Sequence, residues 1–121
     1  MSRWVRFHFE HLRRWREYAE KVAKAAEEVA PGSRVYVIGG VAEGRVTVLS
    51  DIDVLVVVPG GRVDKRRLAR EILEKAIRDH GLPWDAPVEV HVALEDEEGL
   101  YEGRRIPVTT GRETRQASSR A

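Results

Sequence analysis

The segment that most constrains this chain is Ile52–Val58, an apolar run broken only by Asp53 and closed by Pro59-Gly60-Gly61. A short Val-rich run bounded by turn residues reads as a central strand buried on both faces. Such a strand needs covering layers, so the rest of the chain must supply them. Two carboxylates, Asp51 and Asp53, open the strand. Residues two apart in a strand point to the same face, so both acids are expected to project together with Ile52 turned inward. Like charges that close repel unless solvent reaches them or a cation sits between them.

The flanking sequence predicts the other elements. Residues 2–31 read as one long helix, with Ser2 as its cap and Pro31-Gly32 as its stop. Val5, Phe9, Leu12, Trp15, Ala19, Val22, Ala26 and Val29 form its apolar stripe, while Trp4, Phe7 and Tyr18 lie beside it and could cover a partner surface. Arg34–Ile38 reads as a strand ended by Gly39-Gly40, and 45–50 as a loop. Asp64 caps a second helix over 65–80, with Leu68, Ile72, Leu73, Ala76 and Ile77 inward and Gly81 at its end. Val88–Leu94 alternates as a strand, valines on one side and Glu89, His91 and Ala93 on the other. Glu95-Asp96-Glu97-Glu98 is expected to be a solvated acidic loop or short helix, and 109–121 a polar tail. The order is helix, strand, strand, helix, strand: a compact α+β (α/β) domain with a small mixed sheet over 1–108.

Composition narrows the function classes. The 121 residues suffice for one domain, and 42% hydrophobic with 34% charged residues describes neither a disordered chain nor a membrane-embedded one. No stretch approaches the roughly 18 apolar residues of a membrane span. The net charge of +1 gives no reason to expect a nucleic-acid or membrane-surface partner. Cysteine is absent, which excludes disulfides, thiol catalysis and cysteine metal sites. Without an apolar signal core at the N-terminus, a cytoplasmic location is expected. Asparagine is absent, glutamine occurs only as Gln116 and methionine only as Met1, a pattern suited to a thermophile. The stretch 31–100 is acidic and both ends are mildly basic.

Chemistry concentrates around one constellation: Gly39-Gly40, ten residues, then Asp51-Ile52-Asp53. Glycines after a strand let backbone N–H groups approach a phosphate. Paired carboxylates are hard oxygen ligands suited to Mg²⁺ or Mn²⁺. If the 88–94 strand lies beside 52–58, Glu89 adds a third carboxylate, and His91 shares its face. A phosphate cradle followed by acids is the parts list of metal-assisted phosphoryl or nucleotidyl transfer. His8 and His11 also have ligand spacing on the first helix, but no third ligand is evident nearby.

The stretch GGVAEGRVTVLSDIDVLVVV (39–58) resembles the signature of the DNA polymerase beta-type nucleotidyltransferase superfamily. It is most similar to the minimal nucleotidyltransferases, small prokaryotic members often encoded beside a HEPN-domain protein. Their pattern is Gly-Ser, ten residues, Asp-x-Asp, then a third acid on a later strand. Gly39, Gly44, Ser50, Asp51 and Asp53 match it, and Glu89 is the candidate third acid. Three positions depart: Gly40 stands where the family has serine, Glu43 where the loop commonly has arginine with Arg45 two places later, and Glu89 where Asp is more frequent.

The resemblance implies a polymerase beta-like nucleotidyltransferase fold. It implies Asp51, Asp53 and Glu89 as catalytic residues and as ligands of two Mg²⁺ (or Mn²⁺) ions, with Gly39, Gly40, Ser50 and Arg45 around the phosphates. The implied reaction moves a nucleoside monophosphate, taken as AMP from ATP, to an acceptor hydroxyl. In the family's toxin–antitoxin pairs the acceptor is a tyrosine of the HEPN ribonuclease. The alternative is a non-catalytic module that binds such a partner, and either form could complete its surface with a second copy of itself.

Overall fold

The computed structural model describes residues 3–47 and 50–110. The apolar run is a strand as expected: within β2 (Ile52–Val58) every residue except Asp53 is buried. It pairs antiparallel with β1 (Arg34–Ile38) and parallel with β3 (Val88–Leu94). A three-residue strand, β4 (Ile106–Val108), pairs antiparallel with β1 and completes a mixed sheet of order β3-β2-β1-β4. Nothing in the sequence marked β4, because three residues around Pro107 carry no readable alternation.

The two faces of β2 are covered differently. Ile52, Val54, Val56 and Val58 join Val35, Val37 and Val92 in one core with α2 (Trp15–Val29) and α4 (Lys65–His80). The opposite face carries Leu55, Val57 and Ala93, with Tyr36 and Ile38 beside them on β1 and Tyr101 packed against them. Both long helices therefore contribute to the same core, and the second face has only a thin cover. Tyr101 reaches it from the end of a 3₁₀ turn over Glu95–Leu100. The thinly covered face bears the candidate site.

The α4 signals hold in detail. Asp64 Oδ1 accepts the Arg67 N–H at 3.2 Å, and Gly81 closes the helix at φ 74°. Ile72 and Ala76 are fully buried, with Leu68, Leu73 and Ile77 packed around them. The acidic run forms the expected short helix with Glu95 and Asp96 exposed, but Glu97 and Glu98 are half-buried and paired rather than solvated. Glu97 pairs with Lys65, and Glu98 holds Arg34 at 2.8 Å and Arg105 at 2.7 Å. Those pairs tie the 3₁₀ turn to α4, β1 and the segment before β4.

The single N-terminal helix is corrected to two. A short helix α1 (Arg3–Arg13) and α2 meet at Arg14, whose φ of −92° and ψ of 20° leave helical geometry. Neither Gly nor Pro marks the break. The Arg14 amide bonds to the His11 carbonyl three residues back at 3.0 Å, and Tyr18 is buried with its hydroxyl 2.6 Å from His11 Nδ1. The break leaves Trp4 59% and Phe7 53% exposed. The expected Ser2 cap and the tail from residue 111 lie outside the described residues; Thr110, read as tail, is buried. Among the described residues no helix is long and apolar enough to cross a membrane.

Candidate metal and nucleotide site

Parallel pairing of β2 with β3 sets the site. Asp53 falls directly opposite Glu89, and Leu55 opposite His91. Asp53, Glu89 and His91 thus stand on the same sheet face, the one α2 and α4 leave uncovered. Among the described residues they form a group of three side chains, each offering a ligand atom, with those atoms within 4.8 Å of one another. His91 Nε2 is 3.1 Å from Asp53 Oδ1 and 4.0 Å from Glu89 Oε2. Asp53 and His91 are half-buried, whereas Glu89 is 61% exposed and open to an incoming group.

Asp51 is not part of this group. The β2–β3 ladder starts at Ile52, whose amide bonds to the Pro87 carbonyl at 2.7 Å, so Asp51 lies one residue before the strand and is exposed. The strict same-face argument for Asp51 and Asp53 needs both residues inside the strand.

Gly39 borders Asp53. It does not simply break the strand. It begins a helical turn, α3 (Gly39–Ala42), at φ 71°. A Cβ at position 39 would lie 2.5 Å from Asp53 Oδ2, so the missing side chain is the room the carboxylate occupies. Gly40 is held from the other side: a Cβ there would stand 3.1 Å from the Arg45 carbonyl oxygen, tight for any side chain, the family's serine included. The Arg45 amide bonds to the Gly40 carbonyl at 2.7 Å and folds the loop back on itself. Arg45's guanidinium pairs with Glu43. Gly44 takes φ 73° with open space around it.

Ser50 sits at the mouth of this loop. Its Oγ accepts the Thr47 N–H at 2.8 Å. Its carbonyl accepts a bond from His8 Nε2 at 3.0 Å, so α1 is tied to the loop that leads into β2. His8 stacks on Trp4, and His11 is committed to Tyr18, so the histidine pair of α1 is not brought together as a metal site. His91 was legible as sharing the Glu89 face; its contact with Asp53 additionally required the parallel register.

The donor set fits a divalent cation. Two carboxylates and an imidazole converge from adjacent strands in a half-open setting, which spreads their charge cost through solvent or an ion. Backbone N–H groups of the first turn of α3 face no intrahelical acceptor, as in any helix start.

Residues 19–101 match the nucleotidyltransferase domain family, a range that runs from α2 through the 3₁₀ turn and contains every residue of this site. No curated protein matches the chain. Among solved structures, the chain resembles a Sulfolobus solfataricus protein, provisionally described as a nucleotidyltransferase, whose crystal structure is at 1.40 Å resolution. The TM-score is 0.60 at 22% identity, over 83% of this chain and 84% of that one. That likeness speaks for the fold: a mixed four-stranded sheet with helices, as the 39–58 stretch implied. With the family match spanning most of the described residues and its fold borne out by a solved neighbour, the chain belongs to the nucleotidyltransferase domain family.

Proposed function

We propose that this protein transfers a nucleoside monophosphate, AMP from ATP, to an acceptor hydroxyl with the help of divalent cations. The observation that carries the reading is the convergence of Asp53 and Glu89 across β2 and β3, beside a glycine turn that has room only for Asp53's carboxylate. Asp53 and Glu89 would hold Mg²⁺ or Mn²⁺, and Asp51 would join them from the end of the loop. The chemistry supplied by divalent cations at such a site is a lowered pKa for the attacking hydroxyl and neutralised charge on the leaving pyrophosphate.

The chain's own groups have separate tasks. Gly39 and Gly40 open the first turn of α3 to the phosphates, with Ser50 at the loop's end. Arg45 reaches a phosphate only by leaving Glu43. The acceptor oxygen attacks the α-phosphorus, the bond to the bridging oxygen breaks, and pyrophosphate departs. Glu89, the most exposed acid of the pair, takes the hydroxyl proton.

The test is label transfer from ATP carrying ³²P at the α-phosphate, with candidate acceptor proteins. Label on an acceptor with release of pyrophosphate, both lost in Asp53→Asn, supports transfer. Absence of both with every acceptor, despite ATP binding, counts against it.

A second reading, a module that binds a HEPN-type partner without turnover, is favoured by Trp4 and Phe7, exposed on α1. Complex formation that survives Asp51→Asn with Asp53→Asn, in the absence of any label transfer, would support it.

A further inference from the structure

We propose that His91 is a nitrogen ligand of the cation site and makes it prefer a first-row transition cation such as Mn²⁺ over Mg²⁺. The inference rests on the nucleotidyl-transfer reading of the same site. It adds a residue that the Asp-x-Asp pattern and the third acid leave out.

The geometry selects His91 specifically. It stands two residues after Glu89 on β3, on the same face, and reaches diagonally toward Asp53 on β2. Its Nε2 lies 3.1 Å from Asp53 Oδ1 and 4.0 Å from Glu89 Oε2. Nitrogen and oxygen ligands sit about 2.0–2.2 Å from a first-row dication. Two of them at right angles around one ion are then about 3 Å apart, and two on opposite sides about 4.2 Å. Both separations from Nε2 fall in that interval, and all three ligand atoms lie within 4.8 Å of one another, so small side-chain adjustments bring them onto one ion.

The other histidines show how selective this is. His8 is committed to the Ser50 carbonyl and His80 to Glu28, while His11 meets Tyr18 through Nδ1 and a single carboxylate, Asp85, 3.7 Å from its Nε2. Among the described residues only His91 faces two carboxylates.

Ligation replaces the His91–Asp53 hydrogen bond, with the Nε2 lone pair toward the ion and the ring proton on Nδ1. Magnesium favours all-oxygen octahedra and keeps its waters, whereas imidazole is a better donor to later divalent metals. One imidazole with two carboxylates therefore tilts the site away from Mg²⁺.

The test uses the full chain with MnCl₂ or MgCl₂ alone, without nucleotide, so that no adenine nitrogen is present. Pulsed electron paramagnetic resonance of the bound Mn²⁺ is expected to show ¹⁴N modulation, and to lose it in both His91→Gln and His91→Asn. Calorimetry is expected to give Mn²⁺ at least about tenfold tighter binding than Mg²⁺, a ratio that shrinks in the variants. Bound Mn²⁺ without nitrogen coupling in the unaltered protein overturns the proposal and leaves nucleotidyl transfer standing. Equal Mn²⁺ and Mg²⁺ affinity, or no binding of Mn²⁺, also overturns it. Nucleotidyl transfer falls separately, if label transfer from ATP fails with every acceptor while ATP binds.

Discussion

Gly39 and Asp53 share one space: a Cβ on the glycine would sit 2.5 Å from the aspartate's Oδ2. The glycine also holds φ 71°, which side chains rarely adopt. Gly39→Ala therefore meets two penalties, backbone strain of about 1–3 kcal/mol and displacement of the carboxylate. Gly44→Ala meets only the first, since φ is 73° there and nothing lies within 4 Å. Both variants are expected to melt at lower temperature, but only Gly39→Ala should also weaken cation binding. Equal loss of binding in both would contradict this account of the site.

Ile52 separates the two acids and is fully buried. Ile52→Ala is expected to destabilise the fold by about 2–5 kcal/mol, read from chemical denaturation. A cost under about 1 kcal/mol would mean the start of β2 is not packed as described.

The β2 core was legible because buried strands announce themselves by unbroken apolar runs, and α4 because Asp64 and Gly81 bracket its stripe. The Glu89 partnership was legible only as a condition, since parallel pairing of 52–58 with 88–94 is a tertiary fact. The break at Arg14 was hidden: the apolar period runs through it, no breaker residue marks it, and the contact that spans it, His11 with Tyr18, is a tertiary feature. β4 was hidden by its length. Glu97 and Glu98 read as solvated acids because their cations, Lys65, Arg34 and Arg105, are distant in sequence or on other elements.

His8 ties α1 to the Ser50 carbonyl, and the Ser50 amide bonds to Thr47 at 3.1 Å. A hydrogen bond of this kind contributes about 0.5–1.5 kcal/mol. His8→Ala is expected to speed amide hydrogen exchange at Ser50 while leaving α4 unchanged. Unchanged exchange at Ser50 would show that α1 does not steady the loop.

Burial raises the Tyr18 phenol above its ordinary pKa, with the Arg14 guanidinium partly opposing it. A raised pKa means the neutral phenol is favoured by folding. Its contribution is complete below the unfolded value of about 10 and is lost as pH rises through the folded value. The protein is expected to lose stability above about pH 10, and Tyr18→Phe should flatten that decline while lowering stability near neutrality. Denaturant midpoints across that range decide it; an unaltered alkaline decline in the variant would assign the loss to other groups.

The central claim is a nucleotide site completed by divalent cations on Asp53 and Glu89. Its most direct test is calorimetric titration of ATP with Mg²⁺ or Mn²⁺ into the purified protein, with Asp53→Asn and Glu89→Gln alongside. The account predicts saturable binding that needs the metal and is lost in both variants. Binding that persists without metal, or that both variants retain, would contradict it.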